Sequence, residues 1–187
     1  MADDLVLRVA TATDLPAYRA VFDAVAAEGR WIGTEAPVDW ARRTAFLERL
    51  VGDDPTAVLV VAEKADVVVG SITAEHGRSG RVELGMAILD GYRGRGIGTA
   101  LLSWVVDWAR TCGAHKVTLE LWPDNDRALG LYRKLGFEVE GRYRRHWRRR
   151  DGSLWDAVGM GLVLDTDAPG GPPPAERAVM SRSGLEL

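Results

Sequence analysis

A glycine-rich segment, GYRGRGIG at residues 91–98, is the first stretch of this chain whose composition could do chemistry. It places four glycines within eight residues and sets Arg93 and Arg95 between them. An apolar strand-like run precedes it, and a helix-like run follows at once. In a strand–turn–helix arrangement, the backbone N–H groups of the first helical turn point towards one spot, which favours an anion such as a phosphate. The segment therefore predicts a loop that holds phosphate groups.

Two familiar phosphate loops do not fit this segment. The pattern G-x-x-x-x-G-K-[ST] begins at Gly91 and Gly96, but Ile97 stands where a lysine is required. The dinucleotide pattern G-x-G-x-x-G begins at Gly94 and Gly96, but Thr99 stands where the third glycine belongs. A phosphate-bearing ligand of another kind is therefore expected.

Two glutamates stand on strand-like segments, where a carboxylate is unusual. Glu83 lies in VELGM with apolar neighbours on the opposite face, and Glu120 lies in TLELW. A carboxylate on a central strand is out of place unless it is paired or used, and one that is used can act as a general base. For each glutamate, an ion pair with a nearby arginine remains the alternative.

The elements that must position these groups follow from the hydrophobic pattern. Periods of two and 3.6 residues predict the order β-α-α-β-β-β-α-β-α-β-β, which is a mixed α/β (α+β) sheet with an antiparallel front and one parallel crossover. Gly85 interrupts the strand before the glycine loop, which predicts a β-bulge that splays this strand from the one carrying Glu120. Strands over 141–150 and 153–164 are expected to form a terminal hairpin around Asp151–Gly152.

Composition and charge exclude several classes of function. The chain has 187 residues, a net charge of −3 and a pI near 5.7, so the basic footprint of a nucleic-acid-binding protein is missing. Its one cysteine allows no internal disulfide, and no His, Cys or Asp spacing suggests a metal. No apolar run reaches membrane-spanning length, and the acidic N-terminus lacks a signal-peptide core. We therefore expect a cytoplasmic protein that binds neither metal, membrane nor nucleic acid.

The composition changes after Leu164. Residues 165–187 carry four of the eight prolines and show no strong periodicity, which is typical of a tail. We therefore expect a domain over 1–164 and a Pro/Gly-rich tail over 165–187. We also expect a homodimer formed through the terminal hairpin, whose outer strand would be a free edge carrying Trp155.

Two blocks of the sequence resemble the GNAT superfamily of acyl-CoA N-acyltransferases. Residues 93–98, RGRGIG, match the pattern R/Q-x-x-G-x-G/A of that family's pyrophosphate loop. Residues 119–138, LELWPDNDRALGLYRKLGFE, are similar to its strand–helix segment, with the Asn, the A-x-x-L-Y and the K-L-G-F. The element order also matches, so the resemblance covers about residues 5–164. The terminal hairpin is similar to the subgroup that acetylates amino acids and other small amines.

The resemblance implies a fold and a reaction. The fold would be a GNAT fold with a splayed central sheet, and acetyl-CoA would be the cofactor. Its acetyl group would move to a primary amine of a small molecule, with an amino acid as one candidate. Direct attack in a ternary complex is expected, because Cys112 is predicted on the far apolar stripe of a helix. A protein N-terminal acetyltransferase and a non-catalytic acyl-CoA-binding module are the alternatives, although a binding module needs no proton donor.

The resemblance also implies the residues that hold the cofactor and move protons. Tyr132 occupies the family's proton-donor position, and a phenol is protonated at pH 7; an ordinary core tyrosine is the alternative. Asn125 would contact the cofactor, cap a helix, or do both. Relatives carry the base at the position of Glu83 or of Glu120, and both remain open. The implied cofactor-binding set is Met86, Ala87, Ile88, Arg93, Gly94, Arg95, Gly96, Ile97, Gly98, Thr99, Asn125, Ala128, Tyr132 and Lys134.

The acceptor amine would meet aromatic and charged side chains. The segment AAEGRWIGTEAPVD resembles a substrate-covering stretch, in which Trp31 would form an aromatic wall and Glu35 an ammonium partner. A loop anchored by a buried tryptophan is the alternative. The basic run RRHWRRR is expected to form a solvated edge or a site for an acceptor carboxylate, since alternate strand residues face opposite ways. The substrate candidates are Trp31, Glu35, Glu83, Trp147 and Trp155, with Arg144, His146 and Asp156 as further ones.

Overall fold

The computed structural model describes residues 5–165, so all of the predicted tail except Asp165 lies outside the described residues. The strands are β1 (Val6–Val9), β2 (Ala57–Lys64), β3 (Val67–His76), β4 (Arg81–Ile88), β5 (Lys116–Leu121), β6 (Glu138–Arg148) and β7 (Leu154–Val163). The α-helices are α1 (Leu15–Ala27), α2 (Thr44–Val51), α3 (Ile97–Thr111) and α4 (Asp126–Lys134). The predicted order of elements is confirmed.

The strands form one mixed sheet in the order β1-β2-β3-β4-β5-β7-β6. Every neighbouring pair is antiparallel except β4 and β5, which are parallel. Parallel neighbours need a crossover connection, and α3 supplies it. The expected antiparallel front and parallel crossover are therefore confirmed.

Helix α3 buries one apolar stripe against the sheet because its apolar residues recur at helical spacing. Ile97, Leu101, Val105 and Ala109 are each at most 2% exposed. They pack with inward-facing residues of the sheet and with α4 in the main core. Helices α1 and α2 pack on the sheet through two further clusters. These layers fix the two ends of the glycine loop, which joins β4 to α3.

Strands β4 and β5 separate halfway along their length. Their pairing runs from Arg81–Lys116 to Glu83–Thr118 and then stops. The expected bulge at Gly85 is absent, because the register between β3 and β4 continues through Gly85 without a shift. The separation therefore does not come from an extra residue in β4, and that expectation was wrong. The backbone of β4 beyond Glu83 is left without β5 as a partner.

The terminal hairpin differs from the expectation in two ways. Trp155 lies on β7, which is flanked by β5 and β6, so it is not on the free edge. The outermost strand is β6, and it exposes Val139 and Tyr143. Strand β6 also carries a bulge: the pairs Tyr143–Ala157 and Trp147–Trp155 leave residues 144–146 opposite the single residue Asp156.

Candidate active site

A cavity of about 510 Å³ opens where β4 and β5 separate. Its walls come from the far half of β4, the glycine loop, the end of β5, helix α4, the loop after α1, and β6. Of the predicted site residues, it is lined by Trp31, Met86, Ala87, Ile88, Arg93, Gly94, Gly96, Gly98, Thr99, Glu120, Asn125, Ala128, Tyr132 and Trp147. The fold therefore brings together segments that are far apart in the sequence.

The glycine loop presents bare backbone to this cavity. Gly94 and Gly96 have φ values of 75° and 84°, in the left-handed region that glycine adopts without strain. A Cβ atom built on either glycine meets nothing within 4 Å, so open space lies in front of both. Gly96 is the N-cap of α3, and the N–H groups of the first helical turn lack intrahelical acceptors. This bare helix N-terminus fits a pyrophosphate.

Gly98 is needed for a different reason. A Cβ atom on Gly98 would lie 3.0 Å from Leu131 Cδ2 and 3.4 Å from Ile88 Cδ1. The glycine thus lets α3 approach α4 and β4 closely. A larger residue at position 98 would therefore clash with the side chains of Leu131 and Ile88 beside the cavity. It would not project into the open space in front of Gly94 and Gly96.

The two loop arginines differ in their contacts. Arg93 donates from Nε to the Ile88 carbonyl at 2.8 Å and from Nη1 to Glu28 Oε2 at 2.7 Å. Its side chain is 13% exposed, and its hydrogen bonds lower the pKa of Glu28. Arg93 therefore ties the loop and the end of β4 to α1. Arg95 is exposed and lies over the ring of Tyr92, outside the cavity lining.

Two other members of the predicted cofactor set also lie outside the cavity lining. Ile97 is 2% exposed and belongs to the core, so its part in a phosphate site would be limited to its backbone N–H. Lys134 is exposed at the C-terminal end of α4. Arg127, which the sequence reasoning did not select, does line the cavity.

Helix α4 brings an amide and a phenol to the cavity. Asn125 is its N-cap, and the side-chain oxygen accepts the Ala128 N–H at 3.2 Å, so Asn125 caps the helix and lines the cavity at once. Tyr132 is 6% exposed and packs against Phe137. Burial raises the pKa of Tyr132 well above its usual value. The phenol therefore keeps its proton throughout the neutral pH range.

The two candidate carboxylates lie in different places. Glu120 lines the cavity, and its Oε2 atom accepts from Trp147 Nε1 at 3.3 Å. Glu83 is outside the lining, its side chain is 65% exposed, and it pairs with Arg81 at 2.7 Å. The ion-pair alternative thus describes Glu83 as the structure places it, and the geometry favours Glu120 as the carboxylate that faces a ligand.

Three tryptophans line the cavity: Trp31, Trp122 and Trp147. Trp122 is 4% exposed and meets Trp147 edge to face, with ring centroids 6.3 Å apart. Trp155, a substrate candidate, lies outside the lining and packs against Trp122 with centroids 5.1 Å apart. Trp155 therefore supports the wall, and Trp122 forms part of it.

Arg149 holds this wall and was not singled out by the sequence. Its side chain is 4% exposed, and its guanidinium lies 4.5 Å from the Trp155 ring and 5.4 Å from the Trp122 ring. It donates to the Gly33 carbonyl at 3.0 Å. In the run RRHWRRR each arginine looks alike, so no sequence signal separates the buried one. The run was expected to form a solvated edge or a site for an acceptor carboxylate, and the burial of Arg149 departs from the first of these.

Glu35 has a structural partner in the hairpin and does not line the cavity. Its Oε1 atom accepts the Arg150 N–H at 3.0 Å and lies 3.6 Å from Arg149 Nε. The arrangement fastens the loop after α1 to the β6–β7 turn. The expected role of Glu35 as an ammonium partner therefore has no support in this geometry.

Comparison with known protein families assigns the chain to one of them. The model of the Acetyltransferase (GNAT) family matches residues 24–137, more than half of the chain. The chain belongs to the GNAT acetyltransferase family. The matched range includes the glycine loop, β4, β5 and α4, which are the elements that build the cavity beside the loop.

Individual relatives agree with this assignment. The L-methionine sulfoximine/L-methionine sulfone acetyltransferases of Pseudomonas aeruginosa and Pseudomonas paraeruginosa are each 31% identical over 140 residues, 72% of this chain and 81% of theirs. The acetyltransferase yncA of Salmonella typhimurium, solved with its cofactor acetyl-CoA, has a TM-score of 0.76 and 26% identity over 88% of this chain and 96% of its own. A ribosomal-protein-alanine N-acetyltransferase from Brucella melitensis has a TM-score of 0.76 and 27% identity over 85% and 99%.

The GNAT acetyltransferase described here is therefore an acetyl-CoA-dependent N-acetyltransferase. No cluster of three or more potential metal ligands occurs within residues 5–165. In that same range, no helix is long and apolar enough to cross a membrane.

Proposed function

We propose that this acetyltransferase acts on the primary amine of a small molecule, with amino acids and their analogues as the first acceptors to test. The observation that carries the proposal is the cavity, which joins the glycine loop, the edge of β4, Tyr132 and Glu120 to a wall of three tryptophans within about 510 Å³. The Pseudomonas relatives, which are named for methionine derivatives, support an amino-acid-like acceptor.

The cofactor side would be built from backbone. Acetyl-CoA supplies the thioester from which the acetyl group is taken. The N–H groups at the start of α3 would hold its pyrophosphate, because Gly94 and Gly96 leave open space in front of them. The edge of β4 at 86–88, which lacks β5 as a partner, would hydrogen-bond the amide-rich arm as an added strand does. One N–H of that edge would polarise the thioester carbonyl.

The proton-transfer groups would be Glu120 and Tyr132. Glu120 would take a proton from the acceptor ammonium, since a neutral amine is the nucleophile. Its Oε2 atom is held by the Trp147 indole, which leaves Oε1 for the amine. Tyr132 would hold a proton at Oη for the departing thiolate, and its burial keeps that proton in place. Glu83 remains the competing base, because it lies on the strand that enters the cavity.

The tryptophans would select the acceptor. An ammonium group beside the faces of Trp31 and Trp147 would be stabilised by cation–π attraction. Trp31 and Gly33 line the cavity, and Arg149 and Arg150 fasten this loop to the hairpin. A fastened wall on the acceptor side favours a small molecule over a peptide chain.

A protein N-terminal acetyltransferase is the second candidate function, because the Brucella enzyme matches nearly its whole length to this chain. A turnover screen with acetyl-CoA separates the candidates. The panel contains free amino acids, methionine sulfoximine and sulfone, polyamines, aminoglycosides and N-terminal peptides. Fastest turnover on a small amine supports the proposal. Fastest turnover on a peptide overturns it, and turnover on no amine would favour a non-catalytic acyl-CoA-binding module.

We also propose a cytoplasmic homodimer with a domain over 1–164 and a tail over 165–187. The exposed edge of β6, with Val139 and Tyr143 40% or more exposed, supports a second copy as its cover. Light scattering at micromolar concentration tests this proposal on the full chain and on a chain that ends at Leu164. A monomer mass for both, near 20 kDa for the full chain, would refute the dimer and the tail's part in it.

A further inference from the structure

The bulge in β6 brings the side chains of His146 and Trp147 to the same carboxylate, that of Glu120. In a regular strand His146 and Trp147 would point to opposite faces. The extra residues opposite Asp156 break that alternation, and Arg145 adopts a left-handed φ of 53°. Bulges re-aim side chains in this way and often lie beside active sites.

Asp156 fixes the bulge from the neighbouring strand. Its Oδ1 atom accepts the Arg145 N–H at 2.8 Å, and its Oδ2 atom accepts from Arg142 Nη2 at 2.8 Å and Nε at 3.0 Å. The hydrogen bonds from the Arg145 N–H and from Arg142 lower the pKa of Asp156. The position of residues 144–146 is therefore set by a charged anchor in β7.

Both re-aimed side chains reach the same oxygen of Glu120. Trp147 Nε1 lies 3.3 Å and His146 Nε2 lies 3.4 Å from Oε2. Trp147 lines the cavity, whereas His146 does not. The His146 side chain is 41% exposed and packs beside the rings of Tyr143 and Trp147. The Glu120 side chain is 42% exposed, so His146 contacts the carboxylate beside a shared opening to solvent.

A carboxylate that takes a proton in each turnover must also lose it. The Trp147 indole can donate a hydrogen bond but cannot accept a proton. An imidazole does both near neutral pH, since its second nitrogen can release a proton after the first has gained one. His146 has the required chemistry and the required position.

We propose that His146 carries the proton from Glu120 to solvent, an inference that rests on the proposed role of Glu120 as the base. Glu120 takes a proton from the acceptor ammonium at Oε1, and rotation of the carboxyl group brings that proton to the unprotonated Nε2 of His146. Nδ1 of the resulting imidazolium releases a proton to water, and proton exchange with water then restores the starting tautomer of His146. No net charge accumulates, and both side chains return to their starting states. The separation of 3.4 Å is long for transfer, but catalytic hydrogen bonds commonly tighten in the substrate complex.

The test compares His146→Gln with the parent enzyme, using acetyl-CoA and the best acceptor from the turnover panel. Glutamine keeps an N–H donor near Oε2 but cannot relay a proton. We expect kcat to fall about tenfold with the acceptor KM unchanged, below the usual range for a direct acid or base because water can replace a relay in part. Added imidazole should restore much of the lost kcat, since the site is open to solvent. His115→Gln is the matched control, because His115 is exposed in the loop before β5 and should keep the parental kcat with no response to imidazole.

A second variant tests the geometry. Asp156→Ala should release the bulge and move both His146 and Trp147 from Glu120, so kcat should fall further than in His146→Gln. Imidazole should restore only part of this loss, because it replaces His146 but not Trp147. Parental kcat in His146→Gln, or a loss that imidazole does not restore, overturns the relay. If Glu120→Gln also keeps the parental kcat, the base assignment fails and the relay fails with it. If Glu120→Gln is impaired while His146→Gln is not, only the relay is wrong.

Discussion

The two sides of the cavity are built by different means. The proposed cofactor side is largely backbone: the edge of β4, the glycine loop and the first turn of α3 lie in one continuous stretch of sequence, residues 84–99. The proposed acceptor side is made of side chains from three distant segments, with Trp31 after α1, Glu120 on β5 and Trp147 on β6. Ligand binding on the first side depends on glycines that expose the backbone. Ligand binding on the second side depends on the neighbouring residues that fix the orientation of each side chain.

This difference predicts different sensitivities. A backbone site tolerates most substitutions that leave φ and the approach of the ligand unchanged. A side-chain site depends on supports that never touch the ligand, such as Arg149 between two indoles and Asp156 under the bulge. Substitutions on the acceptor side should therefore alter kcat or the acceptor KM, and substitutions in the loop should alter affinity for coenzyme A.

The largest expected effect is on the acceptor side. Glu120→Gln should lower kcat/KM about 10³-fold near neutral pH, within the range for a general base. The loss should shrink as pH rises, because a larger fraction of the acceptor amine is then already neutral. Glu83→Gln is the matched variant. Its kcat/KM should stay within about twofold of the parent's, because the substitution removes only an exposed ion pair with Arg81. The reverse pattern in the pH–rate profiles would assign the base to Glu83.

The next largest effect is expected for a substitution of Tyr132 on α4, which lies between the two sides of the cavity. Tyr132→Phe should lower kcat about 10²-fold and leave the coenzyme A affinity unchanged. Because burial raises the pKa of Tyr132, the parent's kcat should show no alkaline fall near pH 10, where an ordinary phenol loses its proton. Steady-state rates between about pH 7 and 10.5 check this. A variant with parental kcat would leave Tyr132 as a packing residue.

Substitutions in the glycine loop should change the affinity for coenzyme A. Gly96→Val should weaken coenzyme A binding about 30-fold, because its side chain enters the open space before α3 that the pyrophosphate would occupy. The left-handed φ of 84° adds a cost of roughly 1–2 kcal/mol to folding and not to binding. Gly91→Ala is the control, since its added Cβ meets nothing within 4 Å and its φ is not left-handed. Titration calorimetry on folded variants measures both. Equal affinity of Gly96→Val and the parent would remove the loop from the cofactor site.

The smallest effect is expected at Arg149, which supports the tryptophan wall from behind the cavity lining. Arg149→Met keeps the apolar stem but removes the donor to the Gly33 carbonyl and the partner of Glu35. We expect the acceptor KM to rise about tenfold, the coenzyme A affinity to stay unchanged, and the free energy of unfolding to fall by about 1–3 kcal/mol. Arg148→Met, a neighbouring exposed position, should change neither quantity. An unchanged acceptor KM in Arg149→Met would separate the wall from the binding of the acceptor.

By itself the sequence determined the features that depend on neighbours along the chain. The element order, the parallel crossover and the loop between β4 and α3 follow from periodicity and from glycines at fixed spacing. The capping role of Asn125 and the position of Tyr132 about two helical turns further along the same side of α4 are local in the same sense. Such features survive because a helix or a tight turn is specified within a few residues.

Only the tertiary structure decided which side chains face the cavity on the acceptor side. Glu83 and Glu120 look alike in sequence, but the separation of β4 and β5 and the pairing with Arg81 distinguish them. Arg149 is one of several similar arginines until its guanidinium meets Gly33, 116 residues away in the chain. The bulge at 144–146 reverses the strand alternation that the sequence predicts. These outcomes depend on partners that the fold brings together from distant segments, and a local pattern carries no information about them.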